Sequence, residues 1–377
     1  MRIKDKVVSS FIKNIIIPRN EIIDTPGFII LKISMQKEVA NIRELLLPES
    51  MFAEIESEII KKYKNKGENA LYSTGKKFCF RYGLISQYPT TENIKNHSNF
   101  SYFLVRYLEA IYSSKIEHKI DYKKKIFNMK MWDYIVCRNN GIGLIFSDGA
   151  GAGLISYAFS NPNIEGVQVK CQGRGDRYCE IICAPQETLK KMKIKFLSET
   201  NMNNLELEES YNDINSIRKT EYSRTSFQDL INTRFFTQRT GIIKHNDERF
   251  LLLESSIMYI LEDELKKLKS ADKLLFNISF KYGKKLVEKE SKENFEMFIM
   301  DFLGASGFGD ILILEEKRKY KVIIRYFPWS RWVESTDFTM IRGIISGMLS
   351  RFLGKKIILK KVEKDISQGY FSVVFEE

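Results

Sequence analysis

The second half of this chain repeats the residue order of its first half, and this repeat is the strongest limit on the folds that the chain can adopt. Three pairs of matching runs carry the repeat: Leu45–Ser50 with Leu251–Ser256, Tyr72–Phe78 with Phe280–Leu286, and Gly153–Ser156 with Gly343–Ser346. The members of each pair lie roughly half the chain apart, which is far longer than the repeat of a solenoid. The sequence therefore predicts two tandem domains of one fold.

Helix and strand patterns alternate within each half. Pro48 and Glu49 predict a helix start, because proline fits the first turn of a helix and a carboxylate complements the helix dipole. Apolar runs such as Phe28–Ile33 predict strands. The predicted boundaries place the first domain at residues 1–185, a partly helical connector at residues 186–236 and the second domain at residues 237–377.

The charge balance narrows the function classes without selecting one. The 377 residues carry 60 Lys and Arg against 48 Asp and Glu, which gives a formal net charge of +12. This charge permits nucleic acid, an anionic membrane surface or an acidic protein as a partner, although the basic residues are mostly interleaved, as on a solvated surface. No apolar run approaches the roughly 20 residues that cross a bilayer, and the amino terminus lacks a signal-peptide core. We therefore expect a soluble, cytoplasmic protein.

Four of the five cysteines lie in the second part of the first half, three of them in a predicted β-hairpin. The cysteines are Cys137, which follows a predicted strand, and Cys171, Cys179 and Cys183 of the hairpin. Residues 173–177 form the turn-prone segment of that hairpin. Four thiolates are a suitable set for a tetrahedral zinc site. Buried structural thiols and a redox pair are the alternatives, because the spacing is not that of a Cys-x(2)-Cys knuckle.

The sequence contains no arrangement of residues that is typical of catalysis. The three histidines have no nucleophile or carboxylate at motif spacing, and no His-Glu-x-x-His or Ser-His-Asp pattern occurs. The run Gly149–Gly153 lacks the glycine spacing and the later acidic residue of a dinucleotide-binding fingerprint. It is better explained as the tight entry of a helix that continues to Phe159. The chain is therefore predicted not to be an enzyme.

A short aromatic and basic segment follows the strand predicted near residue 325. Its members are Arg325, Trp329, Arg331 and Trp332. Clusters of this kind stack on nucleic-acid bases or bind acidic partners. Ordinary packing, with long side chains that cover apolar surface, is the alternative. This segment is the predicted contact for nucleic acid or for a protein partner.

Together these residues resemble the 4-vinyl reductase domain family, which is related to the Bet-type subunits of the TRAPP trafficking complexes. In the first half the resemblance is carried by the Leu-Pro-Glu-Ser helix start at 47–50, the Tyr-x-x-Gly-Lys-Lys helix at 72–77, and Cys171-x(7)-Cys179 around Gly-x-Gly-Asp-x-Tyr. In the second half it is carried by Gly-Phe-Gly at 307–309 and the helix at 343–347. It covers most of the chain as two tandem domains. The terminal hairpin of the second half has no cysteine, which suggests a degenerate copy.

The resemblance implies an α+β fold, with helices packed on one face of an antiparallel sheet and with domains that often pair. We therefore expect an internal pseudo-dimer, and a homo-dimer is compatible with the family. The resemblance also implies a hydrophobic pocket, a sensory or scaffolding role and, in some members, a bound metal. We expect the pocket to be lined by residues such as Leu71, Phe78, Phe103 and Tyr107.

The predicted function is non-enzymatic binding or sensing of a hydrophobic small molecule. It includes a cysteine site for zinc and output through a protein partner. The alternative is a basic scaffold or regulator that binds nucleic acid or a protein.

Overall fold

The computed structural model describes residues 22–33, 40–88, 90–92, 105, 108, 112–134, 145–203, 205, 220–239, 242–317, 319–329, 337–355, 357–365 and 370–376. The first half contains β1 (Ile22–Thr25), β2 (Phe28–Ile33), β3 (Ala40–Pro48), α1 (Glu49–Tyr63), α2 (Asn65–Ile85), β4 (Lys115–Asp121), β5 (Ile126–Trp132), α3 (Ile145–Ala158), β6 (Ile164–Lys170) and β7 (Cys179–Pro185). The connector contains α4 (Gln186–Lys191) and α5 (Phe227–Asn232). The second half contains β8 (Thr237–Arg239), β9 (Ile242–His245), β10 (Glu248–Glu254), α6 (Ile257–Leu265), α7 (Ala271–Leu286), α8 (Phe295–Ala305), β11 (Asp310–Glu316), β12 (Lys319–Arg325), α9 (Thr339–Leu353), β13 (Ile358–Asp365) and β14 (Tyr370–Glu376).

The described strands form three antiparallel sheets. The first half builds a four-stranded sheet in the order β4-β5-β7-β6, and the second half builds one in the matching order β11-β12-β14-β13. The third sheet has six strands in the order β1-β2-β3-β10-β9-β8, so each half contributes three of them. The predicted α+β fold with two tandem copies is confirmed.

The central pair of strands places a pseudo-twofold axis between the halves. β3 and β10 run antiparallel, and Leu46 lies opposite Leu252. These two leucines hold the same place in the repeated Leu-Leu-Leu runs, so a residue is paired here with its own counterpart. Such self-matching contact is the mark of a twofold interface. On either side of this pair, Leu45 lies opposite Leu253 and Leu47 lies opposite Leu251, as a twofold axis requires.

The two halves also exchange contacts on both sides of this axis. α1 packs against α7 of the second half, and α6 packs against α2 of the first half. From β3, Arg43 donates a hydrogen bond of 2.6 Å to the carbonyl oxygen of Tyr326, directly after β12. Arg249, its counterpart in β10, donates one of 2.9 Å to the carbonyl oxygen of Asp133, directly after β5. The halves therefore form the expected internal pseudo-dimer.

A close approach of two helices explains the glycine inside α2. A Cβ atom on Gly75 would lie 2.0 Å from the carbonyl oxygen of Phe146, and one on Gly149 would lie 2.1 Å from that of Tyr72. Neither position can hold a side chain without moving a backbone. Because α3 begins at Ile145, Gly149 lies inside the helix, and the prediction that the helix begins at the glycine run is wrong by about one turn.

The matching helix pair of the second half corrects one correspondence in the repeat. Gly347 of α9 lies against the backbone of α7, with a Cβ position 2.1 Å from a carbonyl oxygen, as Gly149 lies against α2. Gly347 is therefore the counterpart of Gly149. The predicted match of Gly343 with Gly153 is therefore wrong, because the two glycines lie at different heights along their helices. Short runs of glycine and apolar residues can be aligned at more than one offset, so the sequence alone did not fix the correspondence.

Each four-stranded sheet has one buried face and one outward face. In β5 the residues Phe127, Met129 and Met131 are buried, and they alternate with the half-buried Asn128 and Lys130. This two-residue alternation is expected of a sheet that is covered on one side only. Among the described residues, none of the helices has the length and apolar character needed to span a membrane.

Candidate functional site

A buried carboxyl group with an unpartnered oxygen marks the first half. Asp148 lies in the first turn of α3 and is 9% exposed. Its Oδ1 atom is buried and has no hydrogen-bond partner within the part of the chain that the structure describes. Burial raises the pKa of Asp148 to about 8. The backbone N–H of Gln168 and the guanidinium of Arg174 lower this pKa, but by less than burial raises it. The carboxyl group is therefore mostly protonated at neutral pH, and in that form it donates a hydrogen bond.

A second buried acid, Glu56 of α1, lies close to Asp148 but is already engaged. Its carboxylate accepts hydrogen bonds from the backbone N–H groups of Ile145 at 2.8 Å and Phe146 at 3.3 Å, at the start of α3. Burial raises the pKa of Glu56 to about 8 in spite of these bonds. Glu262 of α6 has the same role at the start of α9. Glu56 thus caps a helix and leaves Asp148 as the acid with a free hydrogen-bonding atom.

Aromatic rings pack around Phe146 of α3, on the side of this helix that faces α2. Phe146 contacts Phe52 and Phe78, with ring centroids 6.4 and 6.1 Å apart. Residues two apart in a helix point to different sides, so these rings do not adjoin the Asp148 carboxyl group. Phe78 is 5% exposed, and Leu71, two turns earlier in α2, is 2% exposed. The predicted pocket residues Phe78 and Leu71 therefore belong to the buried core of the first half.

The remaining predicted pocket residues, Phe103 and Tyr107, lie outside the described residues, so an enclosed apolar pocket stays a prediction. A cleft of about 160 Å³ is present in the second half, at the end of α7. Its lining includes the ionisable side chains of His245, Glu248 and Lys285. Glu248 and Lys285 form an ion pair of 3.5 Å across it. This open, charged cleft is not the apolar pocket that the sequence predicts.

The cysteine hairpin forms as expected, and its thiols are buried. β6 and β7 pair around a single 3-10 turn at Gln172–Arg174. Cys171, Cys179 and Cys183 are each at most 1% exposed. Cys179 and Cys183 share the buried face of β7, in keeping with their even spacing.

The geometry of β7 limits the predicted zinc site. Residues four apart in a strand are separated by about 13 Å, whereas two thiolates on one zinc ion are less than about 5 Å apart. Cys179 and Cys183 therefore cannot bind the same ion. Cys171 is closer to Cys179, because the backbone N–H of the next residue, Gln172, lies 3.4 Å from the Cys179 Sγ atom. Cys137 lies outside the described residues, and within them no three His, Cys, Asp or Glu side chains are grouped to hold a metal ion.

The second half shows what kind of side chain the thiol positions accept. By strand register, Phe371 and Phe375 of β14 correspond to Cys179 and Cys183 of β7. Both phenylalanines are 0% exposed. Burial raises the pKa of the Cys183 thiol well above its usual value, so the group stays protonated and unreactive. Packing in an apolar core is therefore a sufficient role for Cys183.

One member of the predicted nucleic-acid contact, Trp329, is not on the surface. Trp329 is 0% exposed, and its indole N–H donates to the hydroxyl oxygen of Ser255 at 3.0 Å. The Arg81 guanidinium lies over the Trp329 ring, 4.4 Å from its centroid. Arg325 forms an ion pair of 2.8 Å with Glu221. The prediction is wrong for Trp329, because this side chain fills the core between the halves. Its other predicted members, Arg331 and Trp332, lie outside the described residues.

Asp148 was not among the residues predicted for the site. The sequence contains a signal for it, since it is the only charged residue in a helix of small and apolar residues from 145 to 158. Its counterpart in the second half is Ser346, which precedes Gly347 as Asp148 precedes Gly149. The Ser346 hydroxyl donates to a carbonyl oxygen of its own helix at 2.7 Å. The unpartnered buried acid is thus specific to the first half.

Comparison with known proteins places the chain in no family. No protein-family model matches the sequence, and no curated protein matches it. Among solved structures, one similar chain is the crystal structure of the phenol-responsive sensory domain of the transcription activator PoxR with phenol. The sequences are 16% identical, and the match covers 40% of this chain and 87% of that chain with a TM-score of 0.33. A TM-score of this size does not establish a shared fold.

Proposed function

We propose that the first half binds a small, largely apolar molecule with one hydrogen-bonding group, and that it does so without catalysing a reaction. The observation that carries this proposal is the buried Oδ1 atom of Asp148, which has no partner. A buried polar atom without a hydrogen bond costs about 1–3 kcal/mol. A ligand that reaches this atom removes that cost, and the buried Cys171 and Cys183 thiols near the Asp148 carboxyl group favour a largely apolar molecule.

The protonation state of Asp148 defines the kind of ligand. With a pKa of about 8, the carboxyl group is mostly neutral at pH 7. A neutral acid pairs with an uncharged hydroxyl, carbonyl or ether group, whereas an anionic ligand would require a second buried charge. The proposed ligand is therefore an uncharged molecule such as an alcohol, a ketone or a phenol.

The other buried ionisable groups nearby support a binding role rather than catalysis. Lys76 and Glu165 form an ion pair of 2.8 Å in which both side chains are 0% exposed. The Tyr72 hydroxyl also donates to Glu165, at 2.6 Å. General acid–base catalysis needs groups that exchange protons with a substrate. Here the groups bond to one another, as Glu56 does to the start of α3.

A sensory role is part of the same proposal. α3 packs against α2, and α2 in turn contacts α6 of the second half. A ligand at Asp148 would therefore affect, through α3 and α2, the contact between α2 and α6 that joins the halves. A protein partner that binds the second half would detect this change. A sensor of this kind needs two conformational states that differ in their affinity for the ligand.

Two matched probes test the proposal. Benzyl alcohol and toluene have the same ring, but only the alcohol forms a hydrogen bond. We expect benzyl alcohol to raise the melting temperature of the full chain more than toluene does, and we expect Asp148→Leu to abolish this difference. Native mass spectrometry of the purified protein should also show retained small molecules. If neither probe shifts the melting temperature and no small molecule is retained, the proposal is overturned.

A zinc ion bound by Cys171 and Cys179 is a second proposal. The observation in its favour is that the backbone N–H of Gln172, the residue after Cys171, donates to the Cys179 Sγ atom at 3.4 Å. Metal analysis of the purified protein, compared with Cys179→Ser, tests it. The variant should lose the ion if the thiolate is a ligand.

A further inference from the structure

We propose that the outward face of the first four-stranded sheet binds single-stranded nucleic acid. This face lies on the opposite side of the sheet from the buried cysteines and is independent of the site at Asp148. It is called here the aromatic–lysine face, and it consists of Lys115 of β4, Lys130 and Trp132 of β5, Lys170 of β6, and Tyr178 before β7. The proposal goes beyond ligand binding in the core.

Two aromatic rings form the centre of this face. The rings of Trp132 and Tyr178 lie 5.4 Å apart between centroids, and both side chains are half-buried. The two rings are neighbours because Met131 of β5 pairs with Cys179 of β7. This pairing brings Trp132, which follows Met131, next to Tyr178, which precedes Cys179. Exposed aromatic rings on a sheet are the surfaces on which unpaired bases stack.

Lysine side chains surround the two rings. The Lys115 ammonium lies 4.4 Å from the centroid of Trp132. The ammonium groups of Lys130 and Lys170 lie 5.1 and 4.8 Å from the centroid of Tyr178. A cation over a ring is held by the ring quadrupole. A base that stacks on a ring displaces the ammonium group from the ring face, and the displaced lysine can then contact a phosphate of the same strand.

Acidic residues on this face reduce its charge without reversing it. Glu117 is paired with Lys115 at 2.6 Å, and Glu180 is paired with Lys170 at 3.6 Å. Lys130 and the exposed Lys119 share the face with them, because the strand register places Lys119 opposite Asn128. The face thus carries four lysines (Lys115, Lys119, Lys130 and Lys170) against three acidic residues (Glu117, Glu180 and, at the far end of β4, Asp121), which gives a net charge of +1.

The second half has the same scaffold but different residues at the positions of Trp132 and Lys130. Arg325 ends β12 as Trp132 ends β5, and Ile323 takes the place of Lys130. Arg325 is moreover paired with Glu221. The equivalent face of the second sheet is therefore a control that is built into the same molecule.

The experiment measures binding of the full chain to a fluorescein-labelled oligo(dT) of about 20 nucleotides, which is longer than a typical single-strand site. Fluorescence anisotropy at several salt concentrations should give a slope of log K against log salt near −2, since about three phosphate contacts contribute about −0.7 each. Trp132→Ala should weaken binding about 5- to 150-fold, because stacking of one base contributes about 1–3 kcal/mol. Lys130→Gln should make the slope shallower by about 0.7.

Matched variants and competitors separate this proposal from general charge attraction. Trp132→Phe keeps a ring and should retain most of the affinity, and Lys319→Gln on the second sheet should change neither affinity nor slope. The melting temperature of each variant checks that it folds. The proposal is overturned if oligo(dT) does not bind at low salt, if Trp132→Ala binds as tightly as the parent, or if a duplex or a poly-glutamate peptide binds with equal affinity.

Discussion

Lys76 and Glu165 meet in the core of the first half with no exposed surface, whereas Lys284, the counterpart of Lys76 in α7, is exposed to solvent. In β13, Ile358 takes the place of Glu165 by strand register. The positions of the buried ion pair in one copy are therefore occupied by an exposed lysine and an isoleucine in the other. The scaffold does not require the charges.

This difference extends to other buried positions of the first core. Asp148 corresponds to Ser346, and the thiols of Cys179 and Cys183 correspond to the rings of Phe371 and Phe375. Buried polar groups add less stability than apolar groups of the same shape. The fold therefore does not need the polar groups at these positions, which agrees with the binding role proposed for the first half.

The largest expected effect comes from breaking the buried ion pair. Lys76→Met leaves Glu165 as an unpaired buried acid and should lower the free energy of unfolding by about 3–5 kcal/mol. Lys284→Met, at the exposed counterpart, should change it by less than about 0.5 kcal/mol. Urea unfolding followed by circular dichroism measures both.

The double variant Lys76→Met/Glu165→Leu is the control for this prediction. It removes both charges, so it should recover most of the stability lost in the single variant. Equal losses for Lys76→Met and Lys284→Met would show that the ion pair does not distinguish the two cores.

An effect of comparable size distinguishes the two helix-capping acids by pH. Burial raises the pKa of Glu56 to about 8 and that of Glu262 to about 7, from 4.5 in the unfolded chain. The folded state then binds more protons, so each acid lowers the free energy of unfolding as pH rises, by at most about 1.4 kcal/mol per pH unit. This loss begins near pH 4.5 and ends near pH 8 for Glu56 and near pH 7 for Glu262.

Urea unfolding between pH 5 and 9 tests these windows. Glu56→Gln should flatten the profile up to about pH 8, whereas Glu262→Gln should flatten it only up to about pH 7. Asp148→Asn should act over a window similar to that of Glu56→Gln, since burial raises the pKa of Asp148 to about 8 as well. A profile that rises with pH in the parent and is unchanged in all three variants would contradict the assignment.

The smallest effect separates packing from metal binding in the hairpin. Cys183→Ala removes one small apolar group from a filled core and should cost about 1 kcal/mol. The zinc content of the protein should not change, because Cys183 lies too far along β7 to share an ion with Cys179. Inductively coupled plasma mass spectrometry of the parent and the variant makes the comparison. Loss of zinc in Cys183→Ala would require a different arrangement of the strand.

Local patterns predicted much of the fold. The helix start at Pro48 and Glu49, the hairpin around residues 172–174 and the need for a close helix contact at Gly75 all follow from neighbouring residues and are present. The repeat predicted the pseudo-dimer, because two copies of one domain have matching surfaces to pair.

Contacts between distant residues were harder to predict. Nothing near Trp329 in the sequence shows that Arg81 and Ser255, from two different parts of the chain, cover it. The partners of Arg43 and Arg249 are likewise carbonyl oxygens of the other half, which carry no residue-type signal. Asp148 was overlooked because an unpartnered buried atom is defined by what surrounds it in space.

The pairing of Leu46 with Leu252 also affects how the molecule can change over time. In a pair of identical chains every substitution appears twice, once on each side of the axis, and dilution separates the subunits. Here both strands belong to one chain, so their encounter is intramolecular and its strength does not depend on protein concentration. A substitution falls on one side only. Joining the copies therefore allows one side to acquire costly polar groups while the other side remains unchanged and holds the assembly together.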